Sequence, residues 1–178
     1  YLEAKKLFDK AEKLDNKNTN VQIGLGQIFE GQKKFNKALK VFKKIIEVEP
    51  NNIDANLHIG IILQSKQKHV NAINHFKNIN KKFGNTAETL NNIGNSYSAL
   101  GEFDKAYDIW TKELEDGEPK AYFNIALLYF FGNGVKKDLY MAFDYCEIAA
   151  YKGLPRAQNN LAYMHLKGLG TEKLCKDW

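Results

Sequence analysis

The residues best suited to chemistry in this chain are four histidines, two cysteines and two pairs of closely spaced glycines. His58, His69 and His75 fall in one stretch, and zinc wants three or four such donors converging. No HxxxH, HExxH, CxxC or mixed Cys/His spacing occurs, so no metal and no cofactor are expected. His165 shares its place with Tyr129, which predicts a packed core histidine. Cys146 lies among apolar neighbours, where a thiol is inert rather than nucleophilic. Cys146 and Cys175 are too few for a disulfide framework. Gly132-Asn133-Gly134 and Gly168-Leu169-Gly170 could pass for phosphate loops. They follow helical patterns rather than strands, and neither a third glycine nor Gly-Lys-Ser/Thr comes after them. No catalytic constellation is visible, and the expectation is that the chain is not an enzyme.

Composition narrows the classes further. The 178 residues are 44% hydrophobic and 26% charged, as in a folded globular protein. The longest apolar run, 125–131, is far short of the ~20 residues that span a bilayer, so no membrane insertion is expected. The first residue is Tyr1 rather than Met, so the chain reads as an excerpt or a processed product; a cytoplasmic location is favoured. Arg156 is the single arginine beside 25 lysines. A nucleic-acid reader would want arginine forks for phosphates and base edges, so no nucleic-acid partner is expected. The net charge of +5 is uneven: residues 87–118 carry 2 Lys against 8 acids, and the segments on either side are positive. That belt is either a solvated face or an electrostatic match to a partner.

The elements come from a repeat. A shift of 34 residues lays Gly26, Gly60 and Gly94 on one another. Ala38, Ala72 and Ala106 coincide, as do Phe42, Phe76 and Trp110, and Phe29, Leu63 and Tyr97. Phe35, His69 and Phe103 form a further column, and Tyr1, Ala4 and Phe8 fit the slots one period earlier. Leu25, Gly26 and Phe29 give a first helix an apolar face with a notch at the glycine. Phe35, Ala38 and Phe42 make a second helix with a small residue at its centre. Gly facing Ala would let two antiparallel helices approach closely, with the large ring filling the space beyond. From Glu118 the period becomes 36: Ala121 falls on Ala157, Asn124 on Asn160, Ala126 on Ala162, Gly132 on Gly168 and Gly134 on Gly170. Ten helices are predicted, at 1–14, 20–31, 35–48, 53–66, 69–82, 87–99, 103–115, 119–131, 138–151 and 156–167.

Residues 1–118 resemble the tetratricopeptide repeat family: a trailing second helix at 1–14, then hairpins at 19–52, 53–86 and 87–118. His69 departs from that family's aromatic and Gly84 from its loop proline, which Pro50 matches. Residues 119–154 and the incomplete 155–178 resemble Sel-one-like repeats, a longer-loop relative, through Gly132, Gly134, Val135 and Asp138. The two glycines are expected at positive φ, and Asp138 is expected to cap the next helix. In the second copy Thr171 replaces Val135 and Leu174 replaces Asp138. The resemblance implies an all-α, right-handed superhelix of stacked antiparallel hairpins, one continuous array.

Such arrays bind protein or peptide partners on a concave face lined by first helices. The implied inward positions are Asn20, Ile23, Gln27, Glu30, Asp54, Leu57, Ile61, Gln64, Glu88, Asn91, Asn95 and Ser98. This mix of apolar, amide and acidic side chains suits a peptide or helix of a partner. Some tetratricopeptide domains clamp a chaperone's terminal carboxylate, but here Ile23, Gln27, His58, Glu88 and Asn92 offer no lysine or arginine to do it. Asn92, Asn124 and Asn160 recur on first helices, either as structure or as binding groups. The function expected is a protein-interaction scaffold or adaptor. The alternatives are an RNA-binding repeat, which Glu88 opposes, and a regulatory or targeting segment of a larger enzyme or complex.

Overall fold

Asn18, Asn52 and Thr86, one period apart, each precede a helix and cap it. Asn18 Oδ1 accepts from the Asn20 amide at 3.0 Å, Asn52 Oδ1 from the Ala55 amide at 2.9 Å, and Thr86 Oγ1 from the Thr89 amide at 3.2 Å. Each side chain satisfies a donor that the first helical turn would otherwise leave unpaired. The computed structural model describes residues 18–171. Among them are nine helices and no strand. They are α1 (Thr19–Gly31), α2 (Phe35–Val48), α3 (Ile53–Ser65), α4 (His69–Phe83), α5 (Ala87–Ala99), α6 (Phe103–Glu115), α7 (Pro119–Phe131), α8 (Leu139–Tyr151) and α9 (Pro155–Lys167). The helix expected at 1–14, Leu174 and Cys175 lie outside the described residues.

The chain divides into two compact units, Tyr1–Asn85 and Thr86–Trp178. In the first, α1 packs on α2 and α3 on α4 as hairpins, and α2 packs on α3. In the second, α5/α6 and α7/α8 are hairpins, α6 packs on α7, and α9 packs on α8. Each unit is thus a short stack of antiparallel hairpins, and the fold is of the all-α helical-repeat class.

The repeat glycines face rings rather than the alanines expected opposite them. A Cβ on Gly26 would lie 2.5 Å from Phe42 Cζ, and one on Gly60 or Gly94 would collide with the Phe76 or Trp110 ring. The aromatic therefore forms the close contact itself, and the second-helix alanine has another role. Ala38, Ala72 and Ala106 are wholly buried. Phe42 and Phe76 are also wholly buried, and each such ring is worth about 1.5–3 kcal/mol of apolar transfer. In the first unit Phe42 shares a cluster with Ala38, Ile45, Ala55, Ile59 and Ile62. In the second, Trp110 packs with Ala106, Ala121, Ile125 and Leu128.

Turns repeat as faithfully as cores. Lys33, Gln67 and Gly101, again one period apart, adopt left-handed backbone with φ 58°, 60° and 76°. After α7 the turn is longer. Gly132 and Gly134 stand at φ 75° and 69°, and Asp138 Oδ1 caps α8 through the Tyr140 and Met141 amides at 2.9 and 3.0 Å. Gly134 also approaches Phe103 so closely that a Cβ there would meet Phe103 Cβ at 2.5 Å. Gly168 and Gly170 repeat the left-handed pair at φ 62° and 67°.

His165, expected in the core, is exposed and meets Phe143 edge-on with ring centroids 4.9 Å apart. It lies on α9, whose neighbour among the described helices is α8. Tyr129, its counterpart, has helices on two sides because α7 packs on both α6 and α8.

Two substitutions test this frame. Gly60→Leu should cost about 3 kcal/mol, the upper end of the overpacking range, because the buried Phe76 ring cannot yield. A thermal melt should fall accordingly, and an unchanged midpoint would show that the ring does not sit on Gly60. Gln67→Gly should do the opposite and stabilise by up to about 1 kcal/mol, since it relieves a side chain held at positive φ. Chemical denaturation that showed no gain would place that strain elsewhere.

Candidate functional site

In the first unit His58 on α3 joins Gln27 and Glu30 on α1. Its Nδ1 lies 2.8 Å from Glu30 Oε2 and its Nε2 lies 3.0 Å from Gln27 Nε2. A neutral ring meets both contacts: the Nδ1 proton is donated to the carboxylate, and Nε2 accepts from the Gln27 amide. The ring also stacks on Phe42, with centroids 4.8 Å apart and planes 4° from parallel. One imidazole thus ties the first helices of two hairpins together and covers the core ring. Ile23 packs against the buried cluster around Phe42. Leu57, Ile61 and Gln64 are half-buried on α3, and Asn20 and Asp54 are exposed.

In the second unit Asn124 on α7 reaches back to α5. Its Nδ2 donates to Asn91 Oδ1 at 2.9 Å and lies 3.3 Å from Asn95 Oδ1. For Asn124 this supplies a structural role between neighbouring first helices. Glu88 and Asn95 are exposed on α5, and Ser98 is half-buried. Asn160 lines a small apolar cavity with Phe123, Leu127 and Met164.

The residues that could have carried catalysis are engaged otherwise. His75 Nε2 donates to the Asn56 carbonyl at 2.8 Å, and His69 contacts the Gln67 amide oxygen at 3.1 Å. Among the described residues no three His, Cys, Asp or Glu side chains converge to hold a metal. Burial pushes the Cys146 thiol up, away from the reactive thiolate, and its Sγ lies 3.4 Å from the Ala157 carbonyl. Tyr129 hydrogen-bonds Tyr107 at 3.5 Å and stacks on Tyr145 at 5.8 Å. That hydrogen bond, with burial and neighbouring charge, pushes the Tyr129 phenol up to about 12, so it stays protonated at neutral pH.

One buried charge was not singled out from the sequence. Glu113 on α6 is 3% exposed. Burial raises its carboxyl above the usual glutamate range, and the charges of Glu118 and Asp116 raise it further. It lies three residues past Trp110, so helical spacing alone puts it on the apolar stripe.

Tetratricopeptide repeat families match residues 1–58 and 87–109, and the Sel1 repeat family matches 119–154 and 155–175. The chain is therefore built of tetratricopeptide repeats that continue into Sel1 repeats, which generally form non-catalytic protein-interaction scaffolds. Among solved structures it resembles a protective antigen present in uropathogenic Escherichia coli strains, displaying an SLR fold, at 28% identity and a TM-score of 0.60. That alignment covers 93% of this chain, which spans 37% of the antigen's length. A Sel1 repeat protein from Oxalobacter formigenes is 27% identical with a TM-score of 0.59, covering 86% of this chain and 66% of that one. A thermophilic tetratricopeptide protein of Thermus thermophilus shares the fold at 19% identity and a TM-score of 0.74, covering 90% and 88%. No curated protein matches the chain. No helix among the described residues is long and apolar enough to cross a membrane.

Glu113 gives a pH test. Its folded pKa is raised, so the folded state holds this proton more tightly than the unfolded chain does. The stabilisation is fully present below the ordinary glutamate pKa, about 4.3, and is lost as pH rises through the raised folded value. Denaturation curves of the native protein should show this loss with rising pH, and Glu113→Gln should flatten it. Parallel pH profiles for the two proteins would mean that Glu113 is solvated.

Proposed function

We propose that this chain is a scaffold or adaptor that binds a peptide or a helix of a partner protein on its first-helix faces. The observation that carries this reading is on α3. Leu57 and Ile61 are half-buried there, neither fully in the core nor fully in water, and Gln64 continues the row. An apolar strip flanked by amides and carboxylates suits a mixed or amphipathic segment, whose apolar side chains it would desolvate while its polar rim fixes register. Asn91 and Asn95 offer comparable amide chemistry on α5 of the second unit, and the Asn124 bonds hold them in place. Glu30, Asp54 and Glu88 on first helices favour a protein over a nucleic-acid backbone, because like charges repel phosphate.

Ile61→Asp separates docking from filling. A residue that fills space between hairpins would cost ~2 kcal/mol or more when replaced by a charge. The expected outcome is a docking residue: an unchanged thermal melt, with affinity for a partner recovered by pull-down and mass spectrometry reduced at least about tenfold. A folded variant with undiminished affinity would remove the α3 strip from the binding surface.

A further inference from the structure

The repeat columns hold one exception. Ile45, Ile79 and Glu113 occupy the same slot, each three residues past the ring that packs on the repeat glycine. The two isoleucines are 6% and 4% exposed, and Glu113 is 3% exposed. A carboxylate thus stands where the first two hairpins place a branched hydrocarbon, and its burial is as deep as theirs. Burying a charge without a partner is costly, and a polar residue at a core position asks for a compensating role. Among the described residues the Glu113 carboxylate has no hydrogen bond and no ion pair.

It borders a cavity of about 240 Å³. The cavity is lined by Glu88 and Asn91 from α5, Trp110 and Glu113 from α6, and Glu118 and Lys120 at the start of α7. Three carboxylates surround this space with one ammonium, and Lys120 makes no ion pair with them among the described residues. The volume is below the ~300–1,000 Å³ of pockets for whole small molecules, so it fits a single side chain. Among the described residues no three acidic side chains converge on one point, so the complementary occupant is an organic cation rather than a metal ion. The indole of Trp110 offers an apolar wall along which the stem of a long cationic side chain can lie.

We propose that this cavity receives an arginine or lysine side chain of a bound partner segment, with Glu113 as its buried counter-charge. The inference rests on the scaffold reading above, and Glu88 and Asn91 belong to the first-helix face assigned there. It explains why a core slot was given up in the third hairpin alone. The cation supplies the pairing that the Glu113 carboxylate lacks, through a charge-assisted hydrogen bond. Glu88 and Glu118 add attraction for the incoming charge.

The test uses the full chain and three capped tripeptides, acetyl-Ala-X-Ala-amide, in which X is arginine, lysine or glutamine. Backbone amide signals are followed by NMR during titration. The arginine or the lysine peptide should move the signals of Asn91, Glu113 and Ala121 in a saturable way, and their relative affinities identify the preferred cation. The glutamine peptide should not move them. Glu113→Gln should weaken the cationic peptide at least about tenfold while the protein stays folded. Glu113→Ile should raise the melting temperature, as restoring the column's hydrocarbon predicts, and abolish binding. Lys120→Met should leave the melt unchanged and leave binding intact or tighter. Equal response to all three peptides, or to none, would overturn the proposal. So would a Lys120→Met variant that melts lower, because Lys120 would then be the counter-ion. Either failure leaves the Ile61 result, and with it the scaffold reading, untouched.

Discussion

An aromatic ring laid on a glycine of the facing helix sets the spacing of the three central hairpins. Phe42 covers Gly26, Phe76 covers Gly60 and Trp110 covers Gly94, each so closely that no Cβ could intervene. A mid-helix glycine costs about 1 kcal/mol against alanine, yet the ring it admits buries more than that in apolar surface. With the ring in place the second helix stands at one fixed distance, and a wholly buried alanine one turn earlier fits without a void. Every later feature inherits this distance. His58 can stack on Phe42 only because that ring reaches across to the first-helix layer. Glu113 is carried inward for the same reason, one turn beyond Trp110 on the same stripe.

Most of the fold is legible in the sequence because it is written several times. A single Gly26 or Ala38 says little, but three copies at one period separate packing from chance. Some helix starts follow for a related reason: side chains with a local mechanism hold them, as at Asn52 and Asp138. The glycine's true neighbour was not legible. Period gives the column but not which column it faces, and the ring rather than the alanine lies opposite. The turn at Lys33 and Gln67 was equally hidden, because ordinary side chains occupy a left-handed backbone that only Gly101 advertises.

The candidate site was less readable, since its contacts join residues from different repeats. Glu30 and His58 are 28 positions apart, and Asn91 and Asn124 are 33 apart. Repetition cannot announce a pair that occurs once. The residues were marked as inward-facing by resemblance, but part of that face is spent on holding neighbouring hairpins together. Gln27, Glu30 and Asn91 each bond to the adjacent first helix, and Ile23 leans on the core. The proposed docking surface is therefore narrower than the full set and centres on side chains such as Ile61, which are half-buried.

Polar contacts in the two units do different physical work. Between α1 and α3, each polar group around His58 finds a hydrogen-bond partner, so the cluster adds rigidity. Around Glu113 the pairing is incomplete, and the carboxyl stays ionised only at a cost that burial imposes. A fold selected for stability alone would keep isoleucine there, as the first two hairpins do. Three of the eight acids of residues 87–118 line the cavity, with charge of the sign that a cation would meet. Stability given up at one repeat position, inside a frame that the other repeats hold rigid, leaves a recognition element in place without loosening the scaffold that presents it.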